Sequence, residues 1–336
     1  GSNAGAPIVA PDIGGASITH SVRCSRSRAA AVNQAIGDIR WTVISVPVSC
    51  EGGDAVDGDA CGRQREGEKQ PFEAILLMPH QGGGASVDKT LYPSRPFPLV
   101  VVPHGGPHNV MPTAFVPSYA FLAAQGFAVL HVNFRGSTGF GSAALESLPG
   151  HIGSQDVADV LAATKAALAF EPEALDPTRV GVLGGSHGGF LGAHVTAQHP
   201  DVFKVAGLRN PVTNIATMVT SSDIPDWCYV EALGRGNYNF KKFRPPTADD
   251  LELMWKASPV AHVDGVVAPT LIALGAKDRR VPHSQGLEWF HALKSKGVET
   301  KLLVYPEDPH AIDKPASEAD QWLNIVSWFN KYFSLI

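Results

Sequence analysis

The run RVGVLGGSHGGFLGAHVTAQH (179–199) passes from an apolar β-type stretch into a helical one through six residues, four of them glycine. A strand that turns into a helix over so short a span brings the two elements into contact, and side chains beside the turn would collide with one or the other. The same strand-to-helix alternation recurs from Pro98 onward. PLVVVPHGG, FAVLHVNFRG, RVGVLGGS, KVAGLRNP, PTLIALG and TKLLVYP read as strands. FVPSYAFLAAQG, SQDVADVLAATKAALAF, HGGFLGAHVTAQH, SQGLEWFHALKSKG and EADQWLNIVSWFNKYF read as helices. Ser154 is expected to cap the second of these helices, with Val157, Val160, Leu161 and Leu168 on one face. Two earlier strands, IRWTVISVPVSC (39–50) and PFEAILLMP (71–79), precede the alternating part, and 213–258 reads as an irregular, partly helical insertion. Continuous apolar strands separated by helices predict an α/β chain: a mostly parallel, doubly wound sheet with helices on both faces.

Chemistry concentrates at the turn. GGSHGG (184–189) satisfies G-x-S-x-G, with Gly184, Ser186 and Gly188 in the key places, after a strand and before a helix. In that context the serine is forced out of the sheet at the carboxyl end of its strand. The next amide, that of His187, then stands at a helix N-terminus, where it can stabilise an oxyanion. Alone, the motif could be a glycine-rich turn with an incidental serine. Here an acid and a base follow in the order nucleophile, acid, base: Asp278 in LGAKDRRVP and His310 in YPEDPHAI, each just past a strand. This order is that of the α/β-hydrolase fold, with Ser186 as nucleophile, Asp278 as acid and His310 as base. The glycine-rich loop HGGPH (104–108) ends an early strand, where a second oxyanion donor is needed. Gly106 is the candidate, since Pro107 has no N–H. Other histidines fit less well. His283 and His291 read as solvated helix residues, His194 lies on the nucleophile helix, and His104 and His108 lack the helix and glutamate of a zinc site.

The bulk properties exclude other classes. The chain has 336 residues, 44% of them hydrophobic, and a formal net charge of -5, which argues against a nucleic-acid or membrane-surface protein. No apolar run is long enough to span a bilayer. Cys24, Cys50, Cys61 and Cys228 form no C-x-x-C pair, and no Asn-x-Ser/Thr sequon occurs, which favours a reducing, cytoplasmic setting. Gly1–Ala4 read as a tag remnant. Residues 1–38 are expected to be tag and linker, the trailing end of an N-terminal domain, and 39–336 the catalytic domain. The Gly- and Asp-rich stretch 51–70 and the stretch 81–96 read as loops.

HGGPH, NFRGSTGFG, GGSHGGF, RNPVTNIATM, SSDIPDWC and GAKDRRVP, in that order, resemble the catalytic domain of the acylaminoacyl-peptidase branch of the prolyl oligopeptidase family, over roughly residues 39–333. The resemblance implies a serine peptidase that releases an N-acylated amino acid from short blocked peptides. It implies an oxyanion hole from the amides of Gly106 and His187, and an arginine two residues after the acid, Arg280, that grips a substrate carbonyl. The alternative for Arg280 is a surface ion pair. The family's enzymes carry an N-terminal β-propeller, and no blade repeats are visible in this sequence. In the insertion, Ile224, Trp227 and Val230 are expected to wall the pocket for the acylated residue, or else to be core or oligomer contacts, while Asp223 and Asp226 are candidate helix caps. No cofactor and no metal are implied. The expected partner is an N-acylated peptide, with no nucleic acid and no membrane, and a homo-oligomer is left open. Dipeptidyl or prolyl oligopeptidase and carboxylesterase activity remain alternatives, although no isolated Glu-Glu pair is present to hold a free amino terminus. A non-catalytic binding protein is the alternative from another class.

Overall fold

The computed structural model describes residues 39–48, 71–79 and 96–334. The stretches expected to be N-terminal linker and exposed loops, and Cys24, Cys50 and Cys61, lie outside the described residues. Among the described residues the strands are β1 Arg40–Val46, β2 Phe72–Met78, β3 Phe97–Pro103, β4 Ala128–Asn133, β5 Leu175–Gly185, β6 Val205–Arg209, β7 Thr270–Gly275 and β8 Thr300–Tyr305. The helices are α1 Pro117–Ala124, α2 Ser142–Glu146, α3 Gln155–Phe170, α4 His187–Gln198, α5 Ile215–Met218, α6 Pro225–Leu233, α7 Ala248–Lys256, α8 Ser284–Ser295 and α9 Pro315–Phe333.

The strands form one sheet in the order β1-β2-β4-β3-β5-β6-β7-β8. β1 and β2 pair antiparallel, β2 meets β4 antiparallel, and the other pairings are parallel. Alternate residues of the central strands enter different cores, as a period of two requires. Leu99 and Val101 pack with Val157, Val160, Phe190, Leu191 and Trp289, which belong to α3, α4 and α8. Val100 and Val102 pack with Leu122 of α1 and with Trp322, Ile325 and Phe329 of α9. The sheet is therefore covered on both faces, as the sequence pattern predicts, and the carboxyl ends of β3, β5, β6, β7 and β8 share one edge.

One local expectation fails. Ser154 stands at the N-cap position of α3, but its side chain accepts no hydrogen bond from the helix; its hydroxyl donates back to the His151 carbonyl at 2.8 Å. Asp156 takes over at this end, where its Oδ1 accepts the amides of Gly153 (2.8 Å) and Val157 (3.0 Å).

Candidate active site

β5 ends at Gly185 and α4 begins at His187, which leaves Ser186 alone to make the turn, at φ 59° and ψ −123°. A non-glycine residue at positive φ is strained and persists only where its surroundings fix it. They do so here through backbone alone. A Cβ on Gly184 would lie 2.0 Å from the Gly188 carbonyl oxygen, and one on Gly188 would lie 2.3 Å from the Pro103 carbonyl oxygen of β3. The Ser186 amide donates to the Arg209 carbonyl of β6 at 2.9 Å, and its carbonyl accepts from Phe190 at 2.9 Å. The serine is thus sewn to the neighbouring strand on one side and into the helix on the other. Its hydroxyl has no hydrogen-bond partner among the described residues.

Asp278 lies three residues beyond β7 and is buried. Its two carboxylate oxygens divide the work. Oδ1 accepts the amides of Arg280 (2.8 Å) and Val281 (3.0 Å), which ties the carboxylate to its own loop. Oδ2 accepts from His310 Nδ1 at 2.5 Å. His310 follows β8, and its imidazole is 31% exposed, with no hydrogen-bond partner for Nε2 among the described residues. The Lys277 amide bonds the Asp308 carbonyl at 3.0 Å, and the Lys277 ammonium pairs with Glu307, which locks the acid loop to the base loop. The structure thus brings Asp278 and His310 into direct contact and sets Ser186 at the same sheet edge.

The HGGPH loop runs against the elbow: a Cβ on Gly105 would stand 3.2 Å from the Gly185 carbonyl oxygen. Its two histidines diverge. His104 is buried between the Ser137 hydroxyl (Nε2, 2.7 Å) and the Gly105 carbonyl (Nδ1, 2.8 Å), and burial pushes its pKa down to about 4, so the ring is neutral at pH 7. His108 turns to the Gly136 carbonyl (2.8 Å) and to Glu231 of α6 (3.2 Å). Among the described residues no group of three His, Cys, Asp or Glu could hold a metal.

α6 covers the loop. The Trp227 indole N–H donates to the Gly106 carbonyl at 3.0 Å, and the ring meets His187 edge-on with centroids 5.9 Å apart. Trp227, expected as a pocket wall, therefore touches both residues whose amides are the oxyanion candidates. His187 directs its side chain inward, where Nε2 meets Asp156 Oδ2 at 2.9 Å with both groups fully buried. Neither contact was visible in the sequence, because each joins residues far apart in the chain. Ile224 and Val230 are half-buried at the start and middle of α6.

Arg280 is exposed and ion-paired: Nε donates to Asp223 Oδ1 at 2.8 Å. The Asp223 amide bonds the Arg279 carbonyl (3.0 Å), and the Ser222 hydroxyl donates to the Arg280 carbonyl (2.7 Å). The expectation that Asp223 and Asp226 cap a helix is not met. Ile224 occupies the N-cap of α6 with no side-chain cap; Asp223 is turned toward Arg280, and Asp226 lies inside the first turn. His283 and His291 are solvent-exposed, whereas His194 is buried on α4, with Nε2 3.2 Å from the Ala257 carbonyl oxygen.

The sequence pattern of the prolyl oligopeptidase family matches residues 114–335. The acylamino-acid-releasing enzyme of Arabidopsis thaliana is 44% identical over 300 residues, which are 89% of this chain and 36% of that enzyme. The acylamino-acid-releasing enzyme of Mus musculus is 44% identical over 261 residues, 78% of this chain and 34% of that enzyme. The solved acylaminoacyl peptidase of Pyrococcus horikoshii superposes with a TM-score of 0.70 at 21% identity, over 88% of this chain and 42% of that one, a likeness of fold. The chain spans about a third of the length of the curated relatives it matches. Among the described residues no helix is long and apolar enough to cross a membrane.

Proposed function

The chain belongs to the prolyl oligopeptidase family, and on that footing we propose that residues 39–336 are a catalytic unit that releases an N-acylated amino acid from the N-terminus of short blocked peptides. The observation that carries the reading is the 2.5 Å contact between Asp278 and His310 at the strand ends beside the strained Ser186 elbow. In this reading Ser186 Oγ attacks the scissile carbonyl carbon while His310 Nε2 takes its proton, and Asp278 holds the ring in the tautomer with Nδ1–H. The carbonyl oxygen becomes an oxyanion between the amides of Gly106 and His187. The intermediate collapses as His310 returns the proton to the leaving amine. Water, deprotonated by the same imidazole, then cleaves the acyl-enzyme and regenerates Ser186.

Arg280 supplies a planar donor for the acyl carbonyl of the substrate, and Asp223 occupies it until that carbonyl arrives. Ile224, Trp227 and Val230 line the side from which the acylated residue enters. The compartment that fits is the cytoplasm, in keeping with Cys228, which is free and buried. The test is a side-by-side hydrolysis of the p-nitroanilides of acetyl-alanine, free alanine and Gly-Pro, with p-nitrophenyl acetate as the ester. The expected result is turnover of the acetylated compound and the ester, with little on the two free amino termini. Hydrolysis of the ester alone, or of Gly-Pro in preference, would overturn the proposal.

A further inference from the structure

The motif Arg209–Asn210–Pro211 sits at the carboxyl end of β6, between the strand of the nucleophile and the strand of the acid. None of its side chains has a part in the steps above. We propose that Arg209 and Asn210 are positioning residues that hold nucleophile, acid and base in one register; this rests on reading Ser186, Asp278 and His310 as the triad.

The hydrogen bonds at this dipeptide reach all three. The Arg209 carbonyl accepts the Ser186 amide at 2.9 Å. The Asn210 amide donates to the Ala273 carbonyl at 2.8 Å, and Asn210 Oδ1 accepts the Gly275 amide at 2.8 Å, three residues before Asp278. Asn210 Nδ2 donates to the carbonyl of His310 itself at 2.8 Å. Arg209 Nη2 donates to the next carbonyl, Ala311, at 3.0 Å, and Arg209 Nε donates to Gln321 Oε1 at 2.7 Å. Gln321 Nε2 then donates to the carbonyl of Ile312 at 2.7 Å. Three successive carbonyls of the base loop are thereby caught by side chains. Pro211 completes the motif from the other side, since a Cβ on Gly189 of α4 would lie 2.8 Å from the Pro211 Cβ.

The loop needs this support. Ile312 is buried at φ 50°, a conformation that a β-branched residue adopts only under constraint. The imidazole of His310 has Asp278 as its one hydrogen-bond partner among the described residues. Asn210 is itself buried and at φ 39°, where Asn and Asp are the non-glycine residues best tolerated. A general base must stand within hydrogen-bond reach of the proton it takes, and an ångström of displacement far from the chemistry costs about a hundredfold in rate. Asn210 acts through the main chain of His310 and touches no substrate.

Asn210→Asp isolates the link. It keeps the shape, the tolerance for positive φ and the acceptor for Gly275, and it replaces the donor to His310. A protonated carboxyl can still donate there, whereas an ionised one repels the carbonyl. On the acetyl-alanyl substrate we expect kcat to fall about tenfold to a hundredfold with KM unchanged, and the deficit to widen as the pH rises. The low-field proton resonance of the His310–Asp278 hydrogen bond, assigned by its loss in His310→Ala, should shift or broaden in the variant. Arg209→Met keeps an apolar stem against Trp322 but removes both donors. It should show the same fall in kcat with KM unchanged, without the added dependence on pH, and carries the test if Asn210→Asp does not fold. Wild-type kcat at every pH with an unmoved resonance would overturn the proposal. A wild-type protein that shows the resonance but turns over no acyl substrate would instead sink the functional reading, and the resonance in the variants would still decide the positioning role.

Discussion

The elbow around Ser186 and the helix α6 that faces it are built by different means. The elbow is fixed by main chain against main chain: Gly184 and Gly188 lie where any side chain would strike a carbonyl oxygen, and Ser186 is bonded to β6 and α4 through its own peptide groups. α6 meets the site through side chains, Trp227 on the Gly106 carbonyl and Glu231 on His108, with the exposed Arg280–Asp223 pair at its N-terminal end. A main-chain device tolerates no substitution and leaves a fixed signature in sequence. A side-chain device can be retuned one residue at a time, which suits the substrate-selecting role proposed for this side of the site.

Three substitutions would break or sharpen this division. The largest effect is expected from Gly188→Ala, because its Cβ would meet the Pro103 carbonyl oxygen at 2.3 Å and neither backbone can yield. A loss of about 1–3 kcal/mol or more is expected in thermal or urea denaturation, together with loss of fluorophosphonate uptake; a variant that labels normally would mean the elbow has slack. Next comes Arg280→Ala. Removal of a charge-assisted donor, worth about 1.5–3 kcal/mol, should slow acetyl-alanyl turnover about tenfold to a hundredfold and leave nitrophenyl acetate nearly unchanged. Equal losses on both substrates would reduce Arg280 to a surface partner of Asp223. Trp227→Phe keeps a ring beside His187 and removes the N–H to Gly106, so a smaller loss in kcat, about twofold to tenfold, is expected from a net hydrogen bond of about 0.5–1.5 kcal/mol.

The smallest effect concerns the stability of the scaffold as the pH falls. Burial lowers the pKa of His104 to about 4 and those of His131 and His194 to about 3. The unfolded chain takes up these protons near pH 6.5, while the native chain does so only below about 4. Their contribution is therefore complete above pH 6.5 and is lost as the pH falls from there toward 4 for His104 and toward 3 for His131 and His194. Asp159, raised to about 6 by burial, works in the opposite direction, because its native carboxyl gains its proton first. His131→Phe should remove about 0.5–1 kcal/mol of the stability lost between pH 7 and pH 6, read as a shallower dependence of denaturation on pH. An unchanged slope would mean that His131 does not take part.

Period and punctuation made most of the fold legible. Apolar strands, helices of ordinary spacing and the glycines at 184–189 were enough to give a doubly wound sheet and the place of its elbow. Asp278 and His310, the proposed acid and base, could be paired in sequence because each follows a strand, and the two are in contact. What remained hidden is contact at long range. Trp227 bonds Gly106 from 121 positions away, and Asn210 reaches His310 from 100 positions away, separations that no local pattern encodes. The sequence did carry a trace of the second contact, since the RNP motif stood out as part of a family resemblance, but nothing in its composition said which carbonyls it would hold. The caps misread at Ser154 and Asp223 have a common cause. Each residue is of the capping type and stands beside a helix, and each had a better partner in three dimensions, His151 for one and Arg280 for the other.

Whether Ser186 is the nucleophile activated by His310 is decided by intact mass after treatment with a fluorophosphonate. One adduct is expected on the wild-type protein, none on Ser186→Ala at the same folded content, and slow labelling of His310→Ala that no longer falls off at acid pH. An adduct of the same size on Ser186→Ala, or wild-type labelling of His310→Ala across the pH range, would contradict that assignment.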